Sequence, residues 1–206
     1  MNLMNEKMEK AGLFGCDLAI NYSFSYPAEE EALIRNIEIE FRGLTEETED
    51  IETLAKVNIQ MIPSPIYAQN CDEDEDMFLL MDGTSQDLCD VAEALRIYDM
   101  EAMEDCYWDG ILNGDLFYIS EFVVDKKYRG LGIGEILLKE IPSVLEYSLN
   151  LDVGIIALIA SPIEVPYDEE NKKEYLEARK KLFKFYEKNN YKLLNKDTGV
   201  MAYCLA

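Results

Sequence analysis

The chain has 206 residues, 49% of them hydrophobic and 11% aromatic, enough to bury a sizeable core. Its 42 Asp and Glu against 19 Lys and Arg give a formal net charge of −23, which is expected to repel nucleic-acid phosphates and anionic membranes. It has no histidine, which excludes Ser-His-Asp and Cys-His catalysis and most catalytic zinc sites, and leaves acid–base work to carboxylates, tyrosine, lysine, cysteine or water.

Met1 to Lys10 is charged and lacks the apolar stretch of a signal peptide, so residues 1–30 read as an N-terminal extension, loose or helical as far as Gly15. Leu18 to Tyr26 reads as an irregular strand ended by Pro27. Ile37, Ile39 and Phe41 alternate with Glu38 and Glu40, so Ala32 to Arg42 predicts a strand. After a polar turn from Gly43 to Asp50, Ile51 to Ile62 supplies its partner, with Val57, Ile59 and Met61 on one face. The acidic run Asp72 to Asp76 opens a helical region and reads as a solvated helix start rather than a metal site. Thr84 to Trp108 predicts one or two helices, capped by Asp82 or Thr84, with Leu88, Val91, Ala92 and Leu95 on one face. Asn113-Gly114 is a turn, and Leu116 to Val124 an apolar strand. Ile133 to Leu149 predicts a helix kinked at Pro142, which cannot donate its backbone hydrogen bond. The run VGIIALIA, Val153 to Ala160, reads as a strand buried on both faces. A loop from Ser161 to Asn171, a helix from Lys172 to Asn189 and a closing hairpin (Tyr191 to Asn195, Gly199 to Cys204) complete the chain. Repeats and low-complexity linkers are absent, so residues 1–206 read as a single domain. The strand-helix-strand-helix-strand order of the second half implies an α/β sheet. No apolar run approaches the roughly 18 residues of a membrane helix, so no membrane partner is expected. Five widely spaced cysteines without a CxxC read as reduced thiols of a cytoplasmic protein.

The most informative stretch is Val123 to Leu138, VVDKKYRGLGIGEILL. A strand feeds Arg129-Gly130-Leu131-Gly132-Ile133-Gly134 and then, without a gap, an apolar-periodic helix. Unpaired backbone N–H groups and the macrodipole make that helix start an anion site. The glycines let phosphate oxygens approach without meeting a Cβ, and Arg129 can add a charged fork, so the expected ligand is a pyrophosphate. A P-loop would need GK followed by Ser or Thr, whereas Glu135 and Ile136 follow the last glycine. The dinucleotide fingerprint GxGxxG fails too: its third glycine falls on Leu137 or Ile133. The pattern Arg/Gln-x-x-Gly-x-Gly/Ala is filled by Arg129, Gly132 and Gly134.

That pattern resembles motif A of the GNAT N-acetyltransferase superfamily, which binds the pyrophosphate of acetyl-CoA. Val124 to Gly134 is similar to the family's V-x-P-x-Y-R-G-x-G-I-G, with Lys126 in place of the proline. Leu182 to Tyr191, LFKFYEKNNY, resembles the family's C-terminal helix ending LYEKxGF, with Asn190 for the glycine and Tyr191 for the phenylalanine. The resemblance covers roughly Leu116 to Ala206. It implies a mixed, mostly antiparallel α/β sheet flanked by helices, with a strand pair splayed to admit acetyl-CoA. It further implies backbone contacts at Val123 and Val124, and phosphate contacts at Arg129, Gly130, Leu131, Gly132, Ile133 and Gly134. On periodicity alone Tyr186 shares a helix face with Leu176 and Phe183 and reads as packing. The resemblance instead implies that it protonates the departing thiolate. Glu121, eight residues before Arg129, falls where many members carry an acid near the amine, and is the candidate base; its plain reading is an outward-facing strand residue. The Val124 N–H is the expected oxyanion donor. The expected activity is acetyl transfer from acetyl-CoA to an amine by direct transfer in a ternary complex, with no metal. The alternative is a catalytically silent acyl-CoA-binding module on the same fold. The expected partner is a small-molecule or peptide amine, cationic if the acidity serves capture rather than solubility alone, with no nucleic acid.

Overall fold

The computed structural model describes residues 12–23, 34–45, 51–65, 77–97 and 99–205. Most of the expected N-terminal extension, the acidic run Asp72–Asp76 and the tip of the turn after Gly43 lie outside the described residues. The described elements are strands β1 (Leu13–Ser23), β2 (Arg35–Thr45) and β3 (Ile51–Ile62), then helices α1 (Met77–Thr84), α2 (Gln86–Leu95) and α3 (Asp105–Asn113). Strand β4 (Asp115–Val124), helix α4 (Ile133–Ser143), strand β5 (Val153–Ile159), helix α5 (Lys172–Lys188) and strands β6 (Lys192–Leu193) and β7 (Val200–Cys204) follow.

Among the described residues the strands form one sheet of seven in the order β1-β2-β3-β4-β5-β7-β6. Every neighbouring pair is antiparallel except β4 and β5. A parallel pair needs a crossover, and α4 supplies it. This is the mixed, mostly antiparallel sheet flanked by helices that was expected.

Strand alternation places two cores on opposite faces of the sheet. Ile37, Ile39, Val57, Ile59, Phe117 and Ile156 pack with residues of α4 and α5. Leu116, Tyr118, Ile155, Ala157, Val200 and Ala202 pack with residues of α1, α2 and α3. Both cores include residues of β5, which explains its unbroken apolar sequence. Helix α3 sits directly on β5, backbone against backbone: a Cβ on Gly154 would run into the Gly110 carbonyl.

Three local expectations are corrected. The strand at the N-terminus begins at Leu13, because Leu13–Ser23 pairs along β2 almost to its end. The cap of α2 is Ser85, whose Oγ accepts from the Leu88 N–H at 3.2 Å; Thr84 instead ends α1 and donates to the Leu80 carbonyl at 2.7 Å. The α-helix expected to run from Ile133 to Leu149 ends at Ser143, just past Pro142. After Ser143 the chain widens into a π-helical turn, Val144–Ser148, a known way to absorb a disturbed hydrogen-bond ladder.

One carboxyl in the frame is poorly solvated. Asp115 opens β4 beside Asp152, whose carbonyl accepts its N–H at 2.7 Å. Burial first, and the Asp152 charge second, push the Asp115 carboxyl up to about 6. The folded value therefore lies above the unfolded one, so the folded state holds the proton more tightly and stability falls as pH rises from about 4 to 6. Asp115→Asn is expected to raise stability at pH 7 by about 1 kcal/mol, after allowance for solvent screening, and to flatten that part of the pH–stability curve. Denaturant melts at pH 4, 5.5 and 7 check it; an Asn variant less stable at pH 7 would show the charge to be compensated.

Candidate functional site

The site begins where β4 and β5 part. Their parallel pairing runs from Asp115 opposite Val153 to Ile119 opposite Leu158 and stops there, while β4 continues to Val124. The cause is local. Against β3, Asn58 pairs with Glu121 but Ile59 pairs with Ile119, so Ser120 is an extra residue in β4. Such a bulge bends the strand and changes its twist. The Ser120 hydroxyl donates to the Asn58 carbonyl at 3.2 Å. The expected splayed pair is thus present.

Beyond the bulge, backbone alternation decides which groups face the gap. The Asp125 N–H donates to the Leu54 carbonyl of β3 at 2.9 Å. Residues 121 and 123 therefore direct their backbone groups toward β3, and residues 122 and 124 direct theirs into the gap. Of the two expected backbone partners, Val124 turns its backbone groups into the gap, as Phe122 does, and Val123 turns its own toward β3; both valines line the cleft.

The gap opens into a cleft of about 980 Å³. One wall is Phe122 to Lys126 and the glycine turn; the opposite wall is Ser161 to Val165; α5 contributes Ala178, Lys181, Leu182, Phe185 and Tyr186. A short 3-10 turn, Lys126–Tyr128, links β4 to the glycines, capped by the Asp125 side chain on the Lys127 N–H at 2.9 Å. The turn is pinned to β3 by Glu52, which accepts from the Tyr128 hydroxyl and from Lys127.

Gly130 and Gly132 adopt φ of +75° and +80°, the left-handed region that favours glycine, and α4 starts immediately after Gly132. Gly134 is closely packed: a Cβ there would lie 3.2 Å from Val124 Cγ2, which would have to give way. Ile133 is buried and anchors the helix start, whereas Leu131 is exposed. The backbone around these residues thus forms an open cradle at a helix N-terminus, suited to an anion. Arg129 donates through Nε to the Val124 carbonyl at 2.8 Å and pairs through Nη1 with Glu164 at 3.0 Å. Lys126 pairs with the same carboxylate at 2.9 Å.

Tyr186 is 8% exposed and lines the cleft. Its ring packs edge-on against Phe185 and Tyr191, at centroid separations of 5.1 and 5.7 Å. Its hydroxyl makes no hydrogen bond among the described residues, and burial pushes the phenol up to about 12. Packing and access to the cleft are therefore combined in one side chain. Glu121 is exposed, accepts from Asn58 Nδ2 at 2.8 Å, and is not among the residues lining the cleft; the lining begins one residue later, at Phe122. The structure brings Val123, Val124, Arg129, Gly130, Gly132, Gly134 and Tyr186 to one cleft and leaves Glu121 on the strand just outside it.

Sequence reasoning missed Phe122, Lys181, Phe185 and Glu164. Phe185 and Lys181 were open to it, since both lie within one helical turn of Tyr186 or Leu182. Glu164, in an irregular loop 35 residues after Arg129, carried no signal. Among the described residues no cluster of three or more potential metal ligands occurs, and no helix is long and apolar enough to cross a membrane.

No protein-family profile matches the chain. No curated protein matches it either. Solved structures do. The chain is similar to the KacTA–DNA complex at 14% identity and a TM-score of 0.40, covering 91% of this chain and 93% of that one. It is similar to AtaTR bound with acetyl-CoA at 11% identity and a TM-score of 0.39, with the same coverage. A variant of the AtaT toxin, bound to the C-terminus of the antitoxin AtaR and to acetyl-CoA, matches at 13% identity and a TM-score of 0.38, again over 91% and 93%. At these identities and scores the likenesses carry no argument about chemistry, which rests on the cleft itself.

One expectation is corrected. A small-molecule or peptide amine as partner, with nucleic acid excluded, does not stand beside a similar structure solved as a complex with DNA. The exclusion rested on net charge, and net charge hides local surface. Helix α5 carries Lys172, Lys173, Arg179, Lys180, Lys181, Lys184 and Lys188 against Glu174, Glu177 and Glu187.

Proposed function

We propose that the chain is an acetyl-CoA-dependent N-acetyltransferase that moves the acetyl group directly to an amine in a ternary complex. The observation that carries the reading is the convergence, on one cleft, of a splayed strand pair, a glycine cradle at a helix N-terminus and the Tyr186 hydroxyl. The cradle suits the pyrophosphate. The gap beside Phe122 and Val124 suits the pantetheine arm, which can bond to the free strand edge as an added strand would.

In the reaction the amine nitrogen bonds to the thioester carbonyl carbon and the C–S bond breaks. The Val124 N–H, directed into the gap, is the proposed donor to the carbonyl oxygen as charge develops there. Tyr186 gives its proton to the departing sulfur. Glu121 takes the proton lost by the amine, acting through water because it stands outside the cleft. Holding both reactants in one cleft supplies much of the acceleration, up to roughly 7–11 kcal/mol in ideal cases.

The test is release of free thiol from acetyl-CoA in the presence of a broad set of amine-bearing acceptors, macromolecular ones included, beside calorimetric titration of acetyl-CoA. Turnover with any amine supports the reading. One observation favours the silent acyl-CoA-binding module as second reading: the cleft's own carboxylates are already engaged, Asp125 in a cap, and Glu135 and Glu164 in ion pairs. Tight acetyl-CoA binding without turnover on any acceptor would establish it. For Glu121, the expectation is that Glu121→Gln removes the acidic limb of the pH–rate profile while leaving acetyl-CoA affinity unchanged. An unaltered profile would return Glu121 to an ordinary strand position.

A further inference from the structure

The two cations that follow β4 are already held by an acid from the other side of the cleft. Arg129 Nη1 lies 3.0 Å, and Lys126 Nζ 2.9 Å, from the same oxygen, Oε1 of Glu164. Glu164 belongs to the loop after β5, so these ion pairs span the mouth of the splay. Arg129 is fixed from behind by its 2.8 Å bond to the Val124 carbonyl, whereas Glu164 sits in a stretch without helix or strand. The acid is thus the partner held by neither helix nor strand. Arginine and lysine converging on a carboxylate use the same recognition chemistry as arginine and lysine converging on a phosphate. Of the other acids lining the cleft, Glu135 pairs with Lys139 and Lys188, and Asp125 caps the Lys127 N–H; Lys181 of α5 adds a further cation to the lining.

We propose that Glu164 is an internal competitor at the phosphate subsite: its carboxylate occupies Arg129 and Lys126 in the free protein and yields them to the phosphates of a bound CoA species. The proposal rests on the reading of the cleft as an acetyl-CoA site. All three side chains are substantially exposed, so each ion pair is weak in water and easily exchanged. A pyrophosphate brings more charge than one carboxylate and also engages the N–H groups at the start of α4, so it wins the exchange. Glu164 thereby weakens the hold on every phosphate-bearing ligand and speeds its release. A thioester without phosphates does not compete for these cations and is indifferent to Glu164.

The experiment titrates CoA and, separately, phosphate-free acetyl-pantetheine into the wild-type chain, Glu164→Gln and Glu164→Ala. Melting temperatures are measured alongside and are expected to be equal, since Glu164 is half exposed. Both variants are expected to bind CoA about fivefold more tightly, the scale of a removed exposed ion pair and its repulsion, with slower dissociation in stopped flow. Acetyl-pantetheine affinity is expected to be unchanged. Unchanged or weaker CoA binding in both variants would overturn the proposal while leaving the acetyl-CoA reading intact. Tighter binding of both probes would also overturn it, by showing that the loop simply opens. Absence of CoA binding in all three proteins would overturn the acetyl-CoA reading and the proposal with it.

Discussion

Replacement of Tyr186 by phenylalanine is expected to lower kcat by about 10²- to 10⁴-fold and to leave acetyl-CoA affinity and stability nearly unchanged. The asymmetry follows from what the hydroxyl does and does not touch. It makes no hydrogen bond among the described residues, so its loss strands no partner. The ring keeps its edge-on contacts with Phe185 and Tyr191, so packing survives. Only the proton for the leaving sulfur is lost. The pH dependence adds a second check. Burial raises the phenol to about 12, so Tyr186 is protonated and neutral throughout the physiological range. Its deprotonation therefore contributes no alkaline limb to the wild-type rate profile until the pH nears 12. Full turnover by Tyr186→Phe in a steady-state assay would leave Tyr186 as a core aromatic and nothing more.

The sequence showed most clearly those elements whose physics is local. Ile51–Ile62 was readable to the residue because an alternating apolar face ends in Pro63. Helix α5 and strand β5 were readable because one is amphipathic and the other apolar throughout. The glycine cradle was readable because positive φ at Gly130 and Gly132, and close approach at Gly134, leave glycine few competitors. What was not legible depends on neighbours distant in sequence. The bulge at Ser120 exists only relative to β3, and it is the bulge that turns Phe122 and Val124 toward the gap. Without it a strict alternation from Leu116 could not tell Val123 from Val124. The break between α1 and α2 was misplaced for the same reason: Asp82 and Thr84, the two capping candidates, both lie inside α1, and it is Ser85 that takes the extended conformation a cap needs.

Gly132→Glu is expected to abolish detectable acetyl-CoA binding. Gly132 is the last residue before α4 and holds φ at +80°. Any side chain there adds backbone strain of roughly 1–2 kcal/mol, so a modest fall in melting temperature is expected from every substitution. A glutamate adds bulk and a negative charge beside the cradle where the pyrophosphate is proposed to lie, opposing the helix dipole that favours the ligand. Gly132→Ala separates the two effects, since it carries the strain and a single methyl but no charge. The alanine variant is expected to bind acetyl-CoA more weakly than the wild type yet measurably, and the glutamate variant not at all, with both chains folded by circular dichroism. If calorimetry found the glutamate variant binding with wild-type affinity, the glycine turn would not be a phosphate site. If alanine and glutamate were equally damaging, strain in the turn rather than charge at the ligand would account for the loss, and the pyrophosphate would have to lie elsewhere in the cleft.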